Sequence, residues 1–247
     1  MPERLSLIER ILNRIDRRRR PTSARAAGRV VRRFHRLYYT SSRRTWRDTF
    51  FLGVPVAKCP LDLWVYQEIV TEVRPDLIIE TGTAHGGSAL YLAALCEFVG
   101  SGRVVSVDIV ARQNLPRHPR VSYIVGSSVA PETFEQVKAH ARRGESVLVI
   151  LDSEHTREHV MAELGLYGEL VTPGSYLIVE DTNIHGHPVF RSHGPGPFEA
   201  VAEYLARDAR FRRDESREKF YMTFNPGGYL KRLPDTQGDT GQRSGRR

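Results

Sequence analysis

The sequence predicts an α/β protein: a doubly wound, mostly parallel, Rossmann-like sheet carrying a basic helical extension at its N-terminus. Three observations carry this reading. Short, near-continuous apolar runs alternate with helical patterns, as expected for strands buried on both faces. Four of those runs end in carboxylates, at Glu80, Asp108, Asp152 and the Glu180–Asp181 pair. The first run, moreover, passes through a glycine-broken turn directly into a helix, which presents backbone N–H groups to a nucleotide-like ligand.

The N-terminal extension is a region apart in composition. Residues 1–45 hold 14 Arg against three acids, a net of +11, whereas the whole chain is +8, which leaves about −3 for the rest. Leu5, Ile8, Leu12 and Ile15 fall on one helical face ahead of the Arg17–Arg20 run. A second helical pattern sets Val30, Val31, Phe34, Leu37 and Tyr38 between Arg29, Arg32, Arg33 and Arg36. The plain reading is an arm that packs on its own domain or on a neighbouring subunit of a homo-oligomer. The sharper one is an amphipathic segment lying on an anionic membrane surface. No nucleic-acid-binding motif accompanies the arginines, so nucleic acid is not expected as a partner.

From residue 46 to 232 the elements follow in regular order. Leu61–Val73 reads as a helix stopped by Arg74-Pro75-Asp76, and Leu77–Glu80 as the first strand. Ser88–Phe98 is the first crossover helix, Arg103–Asp108 the second strand and Val121–Val125 a short third. Pro131–Arg143 is helical, Ser146–Asp152 the fourth strand, Thr156–Tyr167 a helix and Ser175–Asp181 the fifth strand. Phe198–Arg207 is a further helix, and Phe220–Phe224 with Tyr229–Arg232 forms a candidate hairpin around Asn225-Pro226-Gly227-Gly228. The tail from residue 233, rich in Gly, Gln, Asp and Arg, is expected to be disordered. Cys59 and Cys96 lack CxxC spacing and fit a reducing compartment. No apolar run approaches the roughly 20 residues that cross a bilayer. The expected location is cytoplasmic, with the inner membrane face as the place for any peripheral contact.

The strand ends carry the chemistry, because ligands of open α/β sheets bind there. The glycine pattern Gly82-x-x-x-Gly86-Gly87 is not G-x-G-x-x-G and so counts against a dinucleotide. A looser turn next to an acid suits a cofactor without phosphate, such as S-adenosylmethionine. Glu80, Gly82, Thr83, Gly86, Gly87 and Ser88 are candidates to hold it, with Asp108 on the ribose and Ser127 and Asp152 at the following strand ends. A tight turn with no ligand would leave the same glycines.

Asp152, Glu180 and Asp181 converge if their strands are neighbours. Like charges that close need a cation among them, and three oxygen donors without cysteine fit Mg²⁺, or Mn²⁺ in its place. Asn183 is a candidate fourth ligand or substrate contact. His155, three residues after Asp152, is placed to take a proton from a metal-bound hydroxyl. The plainer reading of Asp152 and Asp181, as caps of the helices that follow, leaves Glu180 and His155 unexplained.

Several segments together resemble the cephalosporin hydroxylase family, which includes rhamnosyl O-methyltransferases acting on mycobacterial glycolipids. They are Trp64-Val65-Tyr66-Gln67-Glu68, Ile79-Glu80-Thr81-Gly82, Leu151-Asp152-Ser153-Glu154-His155, Val179-Glu180-Asp181-Thr182-Asn183, Gly186-His187-Pro188-Val189 and Gly194-Pro195-Gly196-Pro197-Phe198-Glu199-Ala200. The resemblance implies a class I methyltransferase fold that uses S-adenosylmethionine. It also implies Mg²⁺ on Asp152, Glu180 and Asp181, and a sugar hydroxyl on a glycolipid or natural-product glycoside as acceptor. Similar macrolide-sugar O-methyltransferases use a D-x-x-H histidine as general base, which maps to His155. The arginine-rich start lies outside the resemblance. His185, His187 and His193 crowd the loop after Asp181 and are candidates to line the acceptor pocket, although exposed loop histidines are the plainer reading. The Gly194–Pro197 turn reads as the rigid start of a helix more readily than as a lid hinge. Two alternatives from other classes stay open. One is a metal-dependent hydroxylase component, for which the sequence shows no 2-His-1-carboxylate triad. The other is a non-catalytic scaffold recruited to membranes by its basic arm.

Overall fold

The computed structural model describes residues 23–191 and 194–235. The first amphipathic pattern, His193 and the last twelve residues of the tail lie outside the described residues.

Helix α1 (Ala24–Thr40) follows the second amphipathic pattern of the extension, and the Ser23 hydroxyl caps it by accepting from Ala26 N–H. Its buried residues are His35 and Tyr39, whose rings meet Phe224 with centroids 5.8 and 5.1 Å apart. Within the described residues, then, the arm packs on its own domain, while Val30, Phe34 and Leu37 stay exposed.

A small antiparallel pair, β1 (Phe50–Phe51) and β2 (Val54–Pro55), leads to helix α2 (Pro60–Val73). Proline opens α2, where its missing N–H costs nothing, and Arg74 closes it in the left-handed region with φ 48°. Strand β3 (Leu77–Thr81), helix α3 (Gly87–Val99), strand β4 (Arg103–Asp108) and strand β5 (Val121–Val125) form one half of the sheet. Helix α4 (Pro131–Lys138), strand β6 (Val147–Leu151), helix α5 (Arg157–Tyr167) and strand β7 (Tyr176–Val179) form most of the other. Helix α6 (Pro197–Arg207), strand β8 (Phe211–Arg213) and strand β9 (Tyr229–Arg232) complete it.

Among the described residues the sheet has seven strands in the order β5-β4-β3-β6-β7-β9-β8. All neighbours pair in parallel except across β9, which is antiparallel to both β7 and β8. The chain runs outward from β3 in both directions, so the switch point lies between β3 and β6, where ligands of such sheets bind. Alternate strand residues serve two cores, which explains the unbroken apolar runs. Ile79, Val105, Val149 and Leu177 face one, and Ile78, Val104, Leu148 and Ile178 the other.

Two sequence expectations change here. Helix α4 ends at Lys138 and does not reach Arg143. Phe220–Phe224 is not a strand; β9 pairs instead with Phe211–Arg213. The physical reason is Asp62, buried in α2, whose carboxylate accepts from the Thr223 hydroxyl, Phe224 N–H and the Tyr229 hydroxyl. These bonds hold the segment as a loop folded over α2.

Asp62→Ala is expected to cost about 3 kcal/mol, since it leaves three buried donors unpaired. Burial pushes the Asp62 carboxyl up to about 6, against those hydrogen bonds. A raised acid contributes stability that is full below its ordinary 3.8 and is lost as pH rises through about 6. Urea unfolding of both proteins between pH 4 and 7 should therefore show the difference between them narrowing; a constant difference would contradict this.

Candidate active site

Strand β3 ends at Thr81 and the chain turns at Gly82, whose φ is +88°. A Cβ there would stand 1.8 Å from the Asp152 carbonyl oxygen, so only glycine lets the β3 turn lie against the end of β6. Gly87 is required in the same way, because a Cβ there would lie 2.2 Å from the Pro55 carbonyl oxygen. These glycines set the close packing of the turn on its neighbours.

The residues around the turn divide into two layers. Glu80 is fully buried; its Oε2 accepts from the Ser106 hydroxyl, Ser88 bonds to the same carboxyl, and its Oε1 has no partner among the described residues. Thr83 is also buried, on the Ser106 hydroxyl at 2.7 Å. These side chains brace the turn from beneath. On the open side, Gly82, Asp108, Ser127, Ser128, Ser153 and His159 line a cavity of about 320 Å³. Asp108 is fixed by two backbone donors, Ala84 N–H to Oδ2 and Val110 N–H to Oδ1. Gly86 packs against the Pro116 and Tyr123 side chains.

Beside this cavity the strand ends of β6 and β7 bring together a second group. Asp152, His155 and Asp181 each offer one ligand atom, all within 4.8 Å of one another. His155 Nε2 lies 3.4 Å from Asp181 Oδ2 and 4.0 Å from Asp152 Oδ1. Asp181 adopts a left-handed backbone with φ 54°, uncommon for a non-glycine residue, and the Asn225 side chain holds it there by accepting from its N–H. Burial pushes the Asp181 carboxyl above its ordinary range, with the His155 ring pulling the other way.

Glu180 sits deeper, 5 % exposed, and meets a residue that sequence reasoning passed over. Lys58 Nζ lies 2.5 Å from both Glu180 Oε1 and Asp152 Oδ2, and Lys58 is 4 % exposed. Burial alone would lower the lysine, but the carboxylates of Asp152 and Glu180 outweigh it and hold it above its ordinary range. Nothing in the pattern around Lys58 marks it among 37 basic residues; only its place just before the α2 proline sets it apart. His159 was passed over as well. Its Nε2 meets the Ser128 and Ser153 hydroxyls at 3.1 and 3.0 Å on the cavity wall, and the i,i+4 spacing to Glu163 was the available signal.

The remaining candidates have other partners. Asn183 is fully buried and donates to His35 Nε2 of α1, a ring that burial lowers to about 4 and keeps neutral. His187 stacks on Phe198 and pairs with Glu199 at 2.6 Å, while His185 Nε2 lies 3.2 Å from the His155 carbonyl oxygen. The Gly194–Pro197 turn is the start of α6, where the Glu199 carboxylate accepts from Gly196 N–H. Arg36 of α1 donates to the Pro188 carbonyl, so α1 closes over the loop that follows Asp181.

Comparison with known proteins gives concordant matches. The family model described as Rhamnosyl O-methyltransferase/CmcI matches residues 43–233. A rhamnosyl O-methyltransferase of Mycobacterium bovis is 38% identical over 210 residues, covering 82% of this chain and 85% of that protein. One from Mycobacterium leprae is 37% identical over 219 residues, covering 86% and 93%. A solved CmcI structure with Mg and SAM superposes with a TM-score of 0.58 at 21% identity, over 76% of this chain and 78% of that one. The structural likeness establishes a shared Rossmann-like methyltransferase fold.

Proposed function

The chain belongs to the rhamnosyl O-methyltransferase/CmcI family, and from that premise we propose that it methylates a hydroxyl of a sugar-containing acceptor, using S-adenosylmethionine and Mg²⁺. The observation that carries this reading is the adjacency of two unlike sites across one backbone contact. A cavity lined by serine hydroxyls and the carboxylates of Asp108 and Glu154 abuts a carboxylate–histidine cluster, with Gly82 packed directly on Asp152.

The donor set fits both groups. Asp108, held by its two backbone donors, has lone pairs left for vicinal ribose hydroxyls, and Ser127 and Ser128 offer hydroxyls along the cavity wall. Glu80, Thr83 and Ser88 support the turn from below. Asp152 and Asp181, with Glu180 behind them, supply oxygen ligands of the kind a hard divalent cation takes. When bound, S-adenosylmethionine supplies an electrophilic methyl group, and Mg²⁺ orients and acidifies a sugar hydroxyl.

The protein's own part is placement and proton handling. His155 Nε2 stands at the open edge of the cluster and accepts the proton of the acceptor hydroxyl. Asp181 and Asp152 then face the resulting imidazolium with negative charge. Holding acceptor and donor side by side contributes through orientation. A hydroxylase reading is disfavoured, because His155 is the one histidine in the described carboxylate cluster.

Titration calorimetry tests the proposal. S-adenosylmethionine should bind with micromolar affinity and a nicotinamide dinucleotide should not. Mg²⁺ should be needed for methylation of a rhamnoside and EDTA should abolish it. Absence of donor binding with and without Mg²⁺ would overturn the reading.

A further inference from the structure

The chain contains four lysines against a background of arginine, and one of them, Lys58, is buried among carboxylates. Resting on the metal reading above, we propose that Lys58 is a positioning residue that sets the charge of the Asp152–Glu180–Asp181 cluster to suit a single divalent cation. Three carboxylates carry three negative charges, and one ammonium leaves two.

The geometry divides the oxygens accordingly. Lys58 takes Glu180 Oε1 and Asp152 Oδ2, each at 2.5 Å. Asp152 Oδ1 and the Asp181 carboxylate remain on the His155 side, where the cluster is part-exposed. Glu80 also lies within the field of Lys58, but the hydroxyls of Ser88 and Ser106 satisfy part of its carboxylate. A compact ammonium sits between two carboxylates as a point charge, whereas a planar guanidinium spreads its charge over a wider fork. The use of lysine in a chain otherwise committed to arginine fits that demand.

The test is a double-mutant cycle read by Mn²⁺ calorimetry on the metal-free, full-length protein, without turnover. Lys58→Met leaves three negative charges and should tighten Mn²⁺ by about tenfold or more, because it removes a like charge from beside the ion. Glu180→Gln leaves one negative charge and should weaken it about tenfold. The double variant Lys58→Met/Glu180→Gln restores two negative charges and should bind within about threefold of wild type. Weaker or unchanged binding in Lys58→Met overturns the proposal, since a merely structural lysine would give that sign. Should Lys58→Met not fold, the double variant decides: a folded double variant with wild-type affinity supports the proposal, and one weakened more than tenfold overturns it. Failure of the wild-type protein to bind Mn²⁺ is a separate result, which removes the metal reading itself and this inference with it.

Discussion

His155→Ala is expected to lower kcat by a factor of about 10² to 10⁴, the range a positioned general base supplies. Affinities for S-adenosylmethionine and Mn²⁺ should stay within about threefold. The expectation follows from placement. The imidazole is about one-third exposed, so an incoming hydroxyl can reach it, and its Nε2 lies 3.4 Å from Asp181 Oδ2. A proton taken by the ring is thereby stabilised without the ring being needed to anchor the cluster. Methyl transfer to a rhamnoside and calorimetric binding to the same variant separate the possibilities. Normal turnover would remove His155 from the role, and a large loss of Mn²⁺ affinity would make it a ligand instead.

Gly82→Ala should be the most damaging single substitution in the turn. It places a methyl group 1.8 Å from a backbone oxygen and asks a non-glycine residue to hold φ +88°. Neither the turn nor β6 is free to move, since both are hydrogen-bonded into the sheet, so about 4 kcal/mol or more of stability should be lost. Gly144→Ala is the control. Gly144 has φ +85° but nothing within 4 Å of its Cβ position, so only the backbone cost of about 1–2 kcal/mol applies. Urea unfolding of the two variants compares them directly. Equal costs would mean that the turn yields more readily than its packing indicates.

Much of this was legible from residue order. The strands that end in Glu80, Asp108, Asp152 and Glu180 stood out because each is buried on both faces and then meets a polar edge. The same rule led to the expected Asp152–Glu180–Asp181 set with His155 beside it, because neighbouring strand ends must converge; in the structure the ligand atoms of Asp152, His155 and Asp181 meet, while Glu180 turns to Lys58. What stayed hidden depended on depth or on long-range contact. Strand β8, Phe-Arg-Arg, carries no apolar pattern, so the hairpin partner of β9 was placed on Phe220–Phe224. The assignment of Glu80 and Thr83 to the cofactor reflected their spacing, yet both turn into the packing below, where Ser106 receives them. Lys58 was invisible because its partners are 94 and 122 residues away.

Helix α1 has a consequence for how the site is held. The family match begins at residue 43, after α1 has ended. Even so, α1 is bonded into the loop behind Asp181 through His35–Asn183 and Arg36–Pro188, and its Tyr39 is near enough to feel the charge of Asp181. Helix α1 therefore buttresses the loop that follows the carboxylate cluster, so a change in its packing would be felt beside Asp181 without altering a strand end.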